Sequence, residues 1–305
     1  MKTSTLMGSL LATTGLIGAA CVTYGTAFEN RAYQLRHVTV PTLPPGHESI
    51  RILHLSDLHL LAGQTKKIAW VRALGYLRPH LLVNTGDNIA SPTALETLVH
   101  TLSPLMKVPA VFVLGSNDVY YPRPLNPLKY FTNRDHDDVA PTLPTETLIR
   151  TLEDMGWTNA ERQRLVFPIN DSTIEVRGCG DAHMDIDDYD TVMGEPSTAD
   201  LLIGVTHAPY RRVLDQMVAD GAGLICTGHT HGGQVCLPSG RALTTNCDLP
   251  LEQAKGLSTH RLGQSSAYLH VSAGLGTSPF APYRFFCPPE ATLLTLTARP
   301  SEAHD

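Results

Sequence analysis

Apolar positions along this chain come in short solid runs rather than in a strict alternation. Arg51-Ile52-Leu53-His54-Leu55, Leu81-Leu82-Val83-Asn84, Ala110-Val111-Phe112-Val113-Leu114, Leu201-Leu202-Ile203-Gly204-Val205-Thr206 and Leu224-Ile225-Cys226 are runs of this kind. Runs this short, bounded by polar clusters, predict buried strands. Between them the spacing turns helical. Ile68, Val71, Leu74 and Leu77 share one face over 65–77, and helices are also predicted over 94–102, 145–155 and 211–219. Further strands are predicted over 164–169, 173–179, 267–271 and 292–297. Alternating strands and helices argue for a sheet with helical crossovers. Ligands bind such sheets beyond the carboxyl ends of the strands.

The strand ends carry the chemistry. They read Ser56-Asp57-Leu58-His59, Thr85-Gly86-Asp87-Asn88, Gly115-Ser116-Asn117-Asp118, Gly180-Asp181-Ala182-His183 and Thr206-His207. The last is Cys226-Thr227-Gly228-His229-Thr230-His231-Gly232-Gly233. Its two histidines, one residue apart on a glycine-rich loop, can aim both imidazoles the same way, and the glycines let backbone approach a ligand. Asp57, His59, Asp87, Asn117, His207, His229 and His231 together offer carboxylate, amide oxygen and imidazole. Such a mixed shell suits two divalent ions of the Mn, Fe or Zn kind, with Asp87 as a possible bridge. A pair of ions about 3.5–4 Å apart would clamp a phosphoryl group and hold a hydroxide.

Composition narrows the class without naming it. The 305 residues are 42% hydrophobic and 17% charged, enough for a large core. A net charge of -6 without a long basic run shows no nucleic-acid footprint. None of the six cysteines forms a Cys-x-x-Cys pair, which argues against a structural zinc knuckle. Cys236 and Cys247 have a spacing that a hairpin disulfide could use, although spacing alone does not show one.

Residues 1–27 carry no charge after Lys2 and predict a membrane anchor or a signal segment. Residues 28–50, ending in Pro41-Thr42-Leu43-Pro44-Pro45-Gly46, read as a stiff linker. The globular domain is then expected over 51–300, with a tail at 301–305. Residues 1–27 should be dispensable for its folding. The Pro- and Asn-rich stretch 120–144 reads as a lid or as a solvated insertion. Substrate specificity is expected in that stretch and in 239–264.

The order Asp57-Leu58-His59, Gly86-Asp87, Gly115-Ser116-Asn117-Asp118, His207 and Gly228-His229-Thr230-His231 resembles the calcineurin-like metallophosphoesterases. The resemblance spans about residues 51–297. It implies an α/β fold of four layers, an α/β/β/α sandwich of two mixed sheets with flanking helices. It implies Asp57, His59 and His231 on one metal, Asp87 bridging, and Asn117, His207 and His229 on the other. It implies hydrolysis of phosphomono- or phosphodiester bonds by hydroxide held on the metals. With the apolar N-terminal segment, a lipid-linked or cell-envelope substrate and a membrane-associated or secreted location are expected.

One motif departs from the family pattern. The third reads Gly-Ser-Asn-Asp where the family has Gly-Asn-His followed by Asp or Glu. Aligned on the glycine, Ser116 takes the ligand place and Asn117 the place of the catalytic histidine. Shifted by one, Asn117 is the ligand and Asp118 follows it. The second register is preferred, because an amide oxygen ligates a hard ion better than a hydroxyl does. Asp118 is then a candidate general acid or a loop-capping residue. His183 and Arg284 are candidate substrate contacts, although Arg284 also reads as an ordinary surface arginine. The departure also admits a metal-binding docking protein with little or no catalysis, and a single-zinc hydrolase is a third reading.

Overall fold

The computed structural model describes residues 2–122 and 142–300. Its first sheet is built from β1 (Gln34–Leu43), β2 (Ile50–Leu55), β3 (Leu81–Asn84), β4 (Ala110–Phe112), β5 (Trp157–Asn159) and the late strand β12 (Glu290–Ala298). Its second contains β6 (Gln163–Ile169), β7 (Ser172–Gly178), β8 (Leu201–Val205), β9 (Leu224–Thr227), β10 (Gly256–Leu262) and β11 (Ser265–Val271). The strand orders are β1-β12-β2-β3-β4-β5 and β10-β11-β9-β8-β7-β6. Both sheets are mixed. β2, β3, β4 and β5 run parallel while β12 pairs antiparallel to β2. β7, β8, β9 and β11 run parallel while β6 and β10 are antiparallel edges.

Solid apolar runs are needed because each central strand is covered on both faces. Side chains alternate across a strand with period two. Ile50, Ile52, Leu81, Val83, Val111 and Val113 therefore face the second sheet, where they meet Ile174, Val176, Ile203, Val205, Leu224 and Cys226. The interleaved Leu53, Leu55, Leu82 and Phe112 face outward and are covered by Val71, Leu98, Leu102, Leu148 and Leu152 of three helices. On the other side, Leu202, Ile225 and Leu269 are covered by Val213, Leu214 and Met217 of the helix Arg211–Ala219. The result is the four-layer α/β/β/α arrangement that the family resemblance implied.

Three elements differ from the sequence reading. The stretch read as a linker carries β1, which lies parallel to β12 at the sheet edge with Val40 and Leu43 fully buried. Its polar residues and Pro41 disguised it, since proline in a sheet is tolerated at an edge. The stretch 239–264, read as loops, ends in β10, joined to β11 by the two-residue turn Gly263-Gln264. β5 is only three residues long. The stretch 120–144, read as a lid or a solvated insertion, falls largely on residues outside those described.

The N-terminal helix Lys2–Thr23 leaves residues 13–23 exposed. Among the described residues no helix is long and apolar enough to cross a membrane. The turn that follows it is tied to the domain. Arg284 N–H donates to the Gly25 carbonyl at 3.1 Å, and a Cβ on Gly25 would stand 2.8 Å from the Arg284 carbonyl oxygen. Buried Glu29 accepts the Cys287 N–H at 2.5 Å, and Tyr24 meets Phe285 edge-on at 5.9 Å.

These contacts move the expected truncation point. A chain starting at Tyr24 should unfold cooperatively near the full-length Tm. A chain starting at Pro44 loses β1 and the burial of Val40 and Leu43, worth about 3–6 kcal/mol together. Its Tm should fall by on the order of 10 °C in a thermal melt. Equal Tm values for the two truncations would show that β1 adds nothing to the core.

Candidate metal centre

All the strand-end clusters named above emerge at one edge of the sandwich. Asp57 and His59 follow β2, Asp87 follows β3, Asn117 follows β4, His207 follows β8, and His229 and His231 follow β9. Asp57, His59, Asp87, His229 and His231 all have positive φ, between 41° and 68°. The left-handed region costs a residue with a side chain about 1–3 kcal/mol, a strain that clusters at functional sites. Here the tight turns bring side chains of both sheets to one point.

One ligand atom from each of Asp57, His59, Asp87 and His231 lies within 4.8 Å of the others. His59 Nε2 is 3.2 Å from His231 Nε2 and 3.3 Å from Asp87 Oδ2, and His231 Nε2 is 3.5 Å from Asp57 Oδ1. Beyond Asp87 a second group gathers. Asn117 Nδ2 is 3.0 Å and His207 Nε2 3.5 Å from Asp87 Oδ2, and His229 Nδ1 is 3.3 Å from His207 Nε2. The Asn117 amide faces the bridging carboxylate, and Ser116 Oγ lies behind it at 3.5 Å.

Backbone carbonyls choose the tautomers. His231 Nδ1 lies 2.9 Å from the Gly276 carbonyl and His207 Nδ1 lies 2.5 Å from the Thr85 carbonyl. A carbonyl only accepts, so both protons sit on Nδ1 and both Nε2 atoms turn toward the carboxylates. This is how outer partners orient metal-binding imidazoles. Burial pushes His59 and His229 well below the usual histidine range and takes His231 down to about 3. All three therefore keep a neutral ring with a lone pair to give. His59 Nδ1 and His229 Nε2 are buried with no hydrogen-bond partner.

The remaining charges ask for a cation. Burial opposes a charge on His207, yet the carboxylates of Asp87, Asp181 and Asp57 outweigh it and raise the ring to about 10. Burial raises Asp57 to about 7, with His207 pulling the other way. A divalent ion would replace these protons, and the oxygen and imidazole donors fit it.

Glycines make the convergence possible. A Cβ on Gly228 would overlap the Ser56 hydroxyl, and one on Gly274 would stand 2.6 Å from Asp57 Cβ. A Cβ on Gly115 would overlap Asp87 Oδ1 and stand 2.6 Å from His207 Cε1.

The calcineurin-like phosphoesterase pattern matches residues 50–233, more than half of the sequence. The chain belongs to the calcineurin-like phosphoesterase family. The uncharacterized metallophosphoesterase YkuE of Bacillus subtilis (strain 168) is 25% identical over 295 residues, covering 92% of this chain and 94% of its own. A Bos taurus transmembrane protein with a metallophosphoesterase domain is 26% identical over 240 residues, 75% of this chain and 49% of its own. Among solved structures, TT1561 of Thermus thermophilus superposes with a TM-score of 0.41 at 12% identity, covering 75% of this chain and 91% of that one.

Within this phosphoesterase fold, three further sequence candidates are buried. Arg284 is neither a surface residue nor turned to a ligand. It is fully buried, and its guanidinium donates to the carbonyls of Ala273, Gly274, Gly276 and Cys287. Its work is to hold the loop that carries Gly276, and so His231. Asp118 is fully buried, and its carboxylate accepts N–H bonds from Asp87 at 2.7 Å, Asn88 at 2.7 Å and Gly115 at 3.1 Å. Asp118 thus clamps the β3 and β4 loops together as a capping residue would, and burial raises its carboxyl to about 7. Cys236 neighbours Cys287 instead of Cys247, and no disulfide joins the cysteines.

His183 lies beside the second donor group. Its half-buried ring packs on His229 at 4.5 Å, and its Nδ1 lies 3.0 Å from the Tyr210 hydroxyl. Asp181 accepts the His183 N–H at 2.9 Å, and burial raises its carboxyl to about 6. His54 is a satisfied core residue, 2.8 Å from His270 through the Nδ1 atoms and 3.0 Å from Thr85 Oγ1. The support chain runs on through Ser56 to Asp57, at 2.7 Å and 2.5 Å. His270 was missed, because nothing in its neighbours along the chain points to His54.

Proton loss sets the pH dependence of metal uptake. His207 and Asp57 both have raised values, so their protons stabilise the metal-free fold at low pH. That stabilisation fades as pH rises through about 7 for Asp57 and about 10 for His207. Manganese affinity measured by calorimetry should therefore rise with pH, on the order of tenfold per unit between pH 6 and 7 for one released proton. A flat profile would exclude proton displacement at this centre.

Proposed function

We propose that the protein is a phosphoric ester hydrolase that uses two divalent ions, of the Mn, Fe or Zn kind, on phosphomono- or phosphodiesters. The observation that carries this reading is the pair of donor groups on either side of the Asp87 carboxylate. Asp57, His59 and His231 would hold one ion, and Asn117, His207 and His229 the other, with Asp87 shared. The ions would supply positive charge for the phosphoryl oxygens and an activated water.

The chain's own residues do the positioning. The Gly276 and Thr85 carbonyls keep His231 and His207 in the receptive tautomer. Asp118 fixes the Asp87 loop, and Ser56 orients Asp57. His183, beside His229, is the side chain we assign to substrate contact. With Asp118 occupied as a clamp, the protein offers a departing alkoxide little help, so rates should depend steeply on leaving-group acidity.

The exposed, uncharged stretch 13–23 of the N-terminal helix favours association with a membrane surface and makes a lipid-linked or cell-envelope phosphoester a fitting substrate. The transmembrane relative points the same way. The helix would then place the metal centre near a bilayer surface.

Hydrolysis of p-nitrophenyl phosphate and bis-p-nitrophenyl phosphate by Mn-loaded protein tests the activity. Asp87→Ala should lose most bound metal and at least a hundredfold in rate, since it removes a group shared by both ions. Unchanged turnover would sink the two-ion arrangement.

The third motif has its own test. Ser116→Ala should keep both metals and most of its rate, whereas Asn117→Ala should retain about one ion per chain by metal analysis. Asp118→Asn should lower the Tm and slow aryl and alkyl phosphates alike. A loss confined to alkyl phosphates would restore Asp118 as the acid.

A further inference from the structure

Lys67 is a buried lysine without a counter-charge, and burial lowers its ammonium to about 7. It stands in the first turn of the helix Thr65–Ala73 and is only 4% exposed. Its ammonium donates to the Leu58 carbonyl at 2.7 Å. Among the described residues no carboxylate pairs with it, and the charge nearest in effect is that of Arg284. Folded chains rarely bury a lysine unless something pairs with it.

Lys67 lines a cavity of about 590 Å³. Three segments build the walls. The turn after the N-terminal helix brings Asn30 and Arg31, the approach to the Thr65–Ala73 helix brings Gln64 and Lys66, and the loop after β11 brings Thr277. Arg31 and Lys66 are cationic, an anion beside Lys67 would favour its charged form, and no Asp or Glu lines the cavity. In a chain of net charge -6 this is a local reversal of sign. No side chain caps the helix that opens here, so its first N–H groups add to the positive end. The volume is that of a small-molecule site.

Two walls of the cavity adjoin the loops of the metal centre along the chain. Leu58, which holds Lys67, stands between Asp57 and His59. Thr277 follows Gly276, whose carbonyl orients His231.

We propose that this cavity is a second anion subsite, which takes a phosphate-like group on the far part of the phosphoester bound at the Asp/His centre. The substrate class is thus an ester with two anionic groups, one of them not cleaved. The inference rests on the reading of the centre as a phosphoesterase. It also gives the turn after the N-terminal helix a role, since Arg31 completes the subsite.

The test uses the full chain loaded with manganese and measures binding by calorimetry. The probes are methylphosphonate and a series of α,ω-bisphosphonates with one to eight methylenes. At one spacer length the bisphosphonate should bind at least tenfold more tightly than methylphosphonate. That ratio should collapse toward one in Lys67→Met. Arg31→Gln, on an exposed residue, should lower it as well and covers the case in which Lys67→Met fails to fold. If no spacer gains over methylphosphonate, or if the gain survives both substitutions, the subsite is overturned and the phosphoesterase reading stands. If methylphosphonate itself fails to bind, the phosphoesterase reading falls and the subsite falls with it.

Discussion

Asp57 is where the two sheets are made to agree. It follows β2 of the first sheet, and its carboxylate accepts the N–H of His229 from the second sheet at 3.2 Å on both oxygens. The Ser56 hydroxyl bonds one of those oxygens, and Gly274 packs against its Cβ. Both sheets must stop at the same height for this contact to form. Once it forms, His229 and His231 of the second sheet, with His207, meet the candidate ligands Asp57, His59, Asp87 and Asn117 of the first. A side chain at Gly228 or Gly274 would push the sheets apart at this point, so the glycines are a steric requirement of the contact.

Beneath the contact lies a polar chain that spans the inter-sheet core. His270 of β11 meets His54 of β2, and the line continues through Thr85 and Ser56 to Asp57. Burial lowers His270 to about 4 and His54 well below the usual range, so the pair is neutral and shares one proton between the facing nitrogens. A neutral pair can sit among Ile52, Val83 and Cys226 where a charged one could not. The effect is to fix the Asp57 carboxylate from below without adding charge to a centre that must attract a cation.

The N-terminal segment belongs to the same design. Glu29 reaches the Cys287 N–H, and Gly25 packs on Arg284, whose guanidinium gathers the carbonyls of the Gly274 to Gly276 loop. That loop in turn orients His231. The turn after the exposed helix is therefore linked to the metal centre through three residues. Any surface that the helix binds lies at a set distance from the site.

Much of this could be read along the chain. Solid apolar runs marked the central strands because both faces of β2, β3, β8 and β9 are covered, and the polar residues at their ends, from Asp57 to His231, marked the cluster that the fold brings together. Local pattern sufficed there because burial and turn geometry act over a few residues. The edge strands β1 and β10 escaped it, since an exposed edge imposes no apolar pattern. Tertiary structure alone decided the surroundings of Asp118, Arg284 and Lys67. Each is an ionisable residue whose state depends on partners distant in sequence: loop amides for Asp118, carbonyls for Arg284, and an open cavity for Lys67. A charge in a sequence has no sign of its surroundings, and only the fold supplies the dielectric and the neighbours that determine what it does.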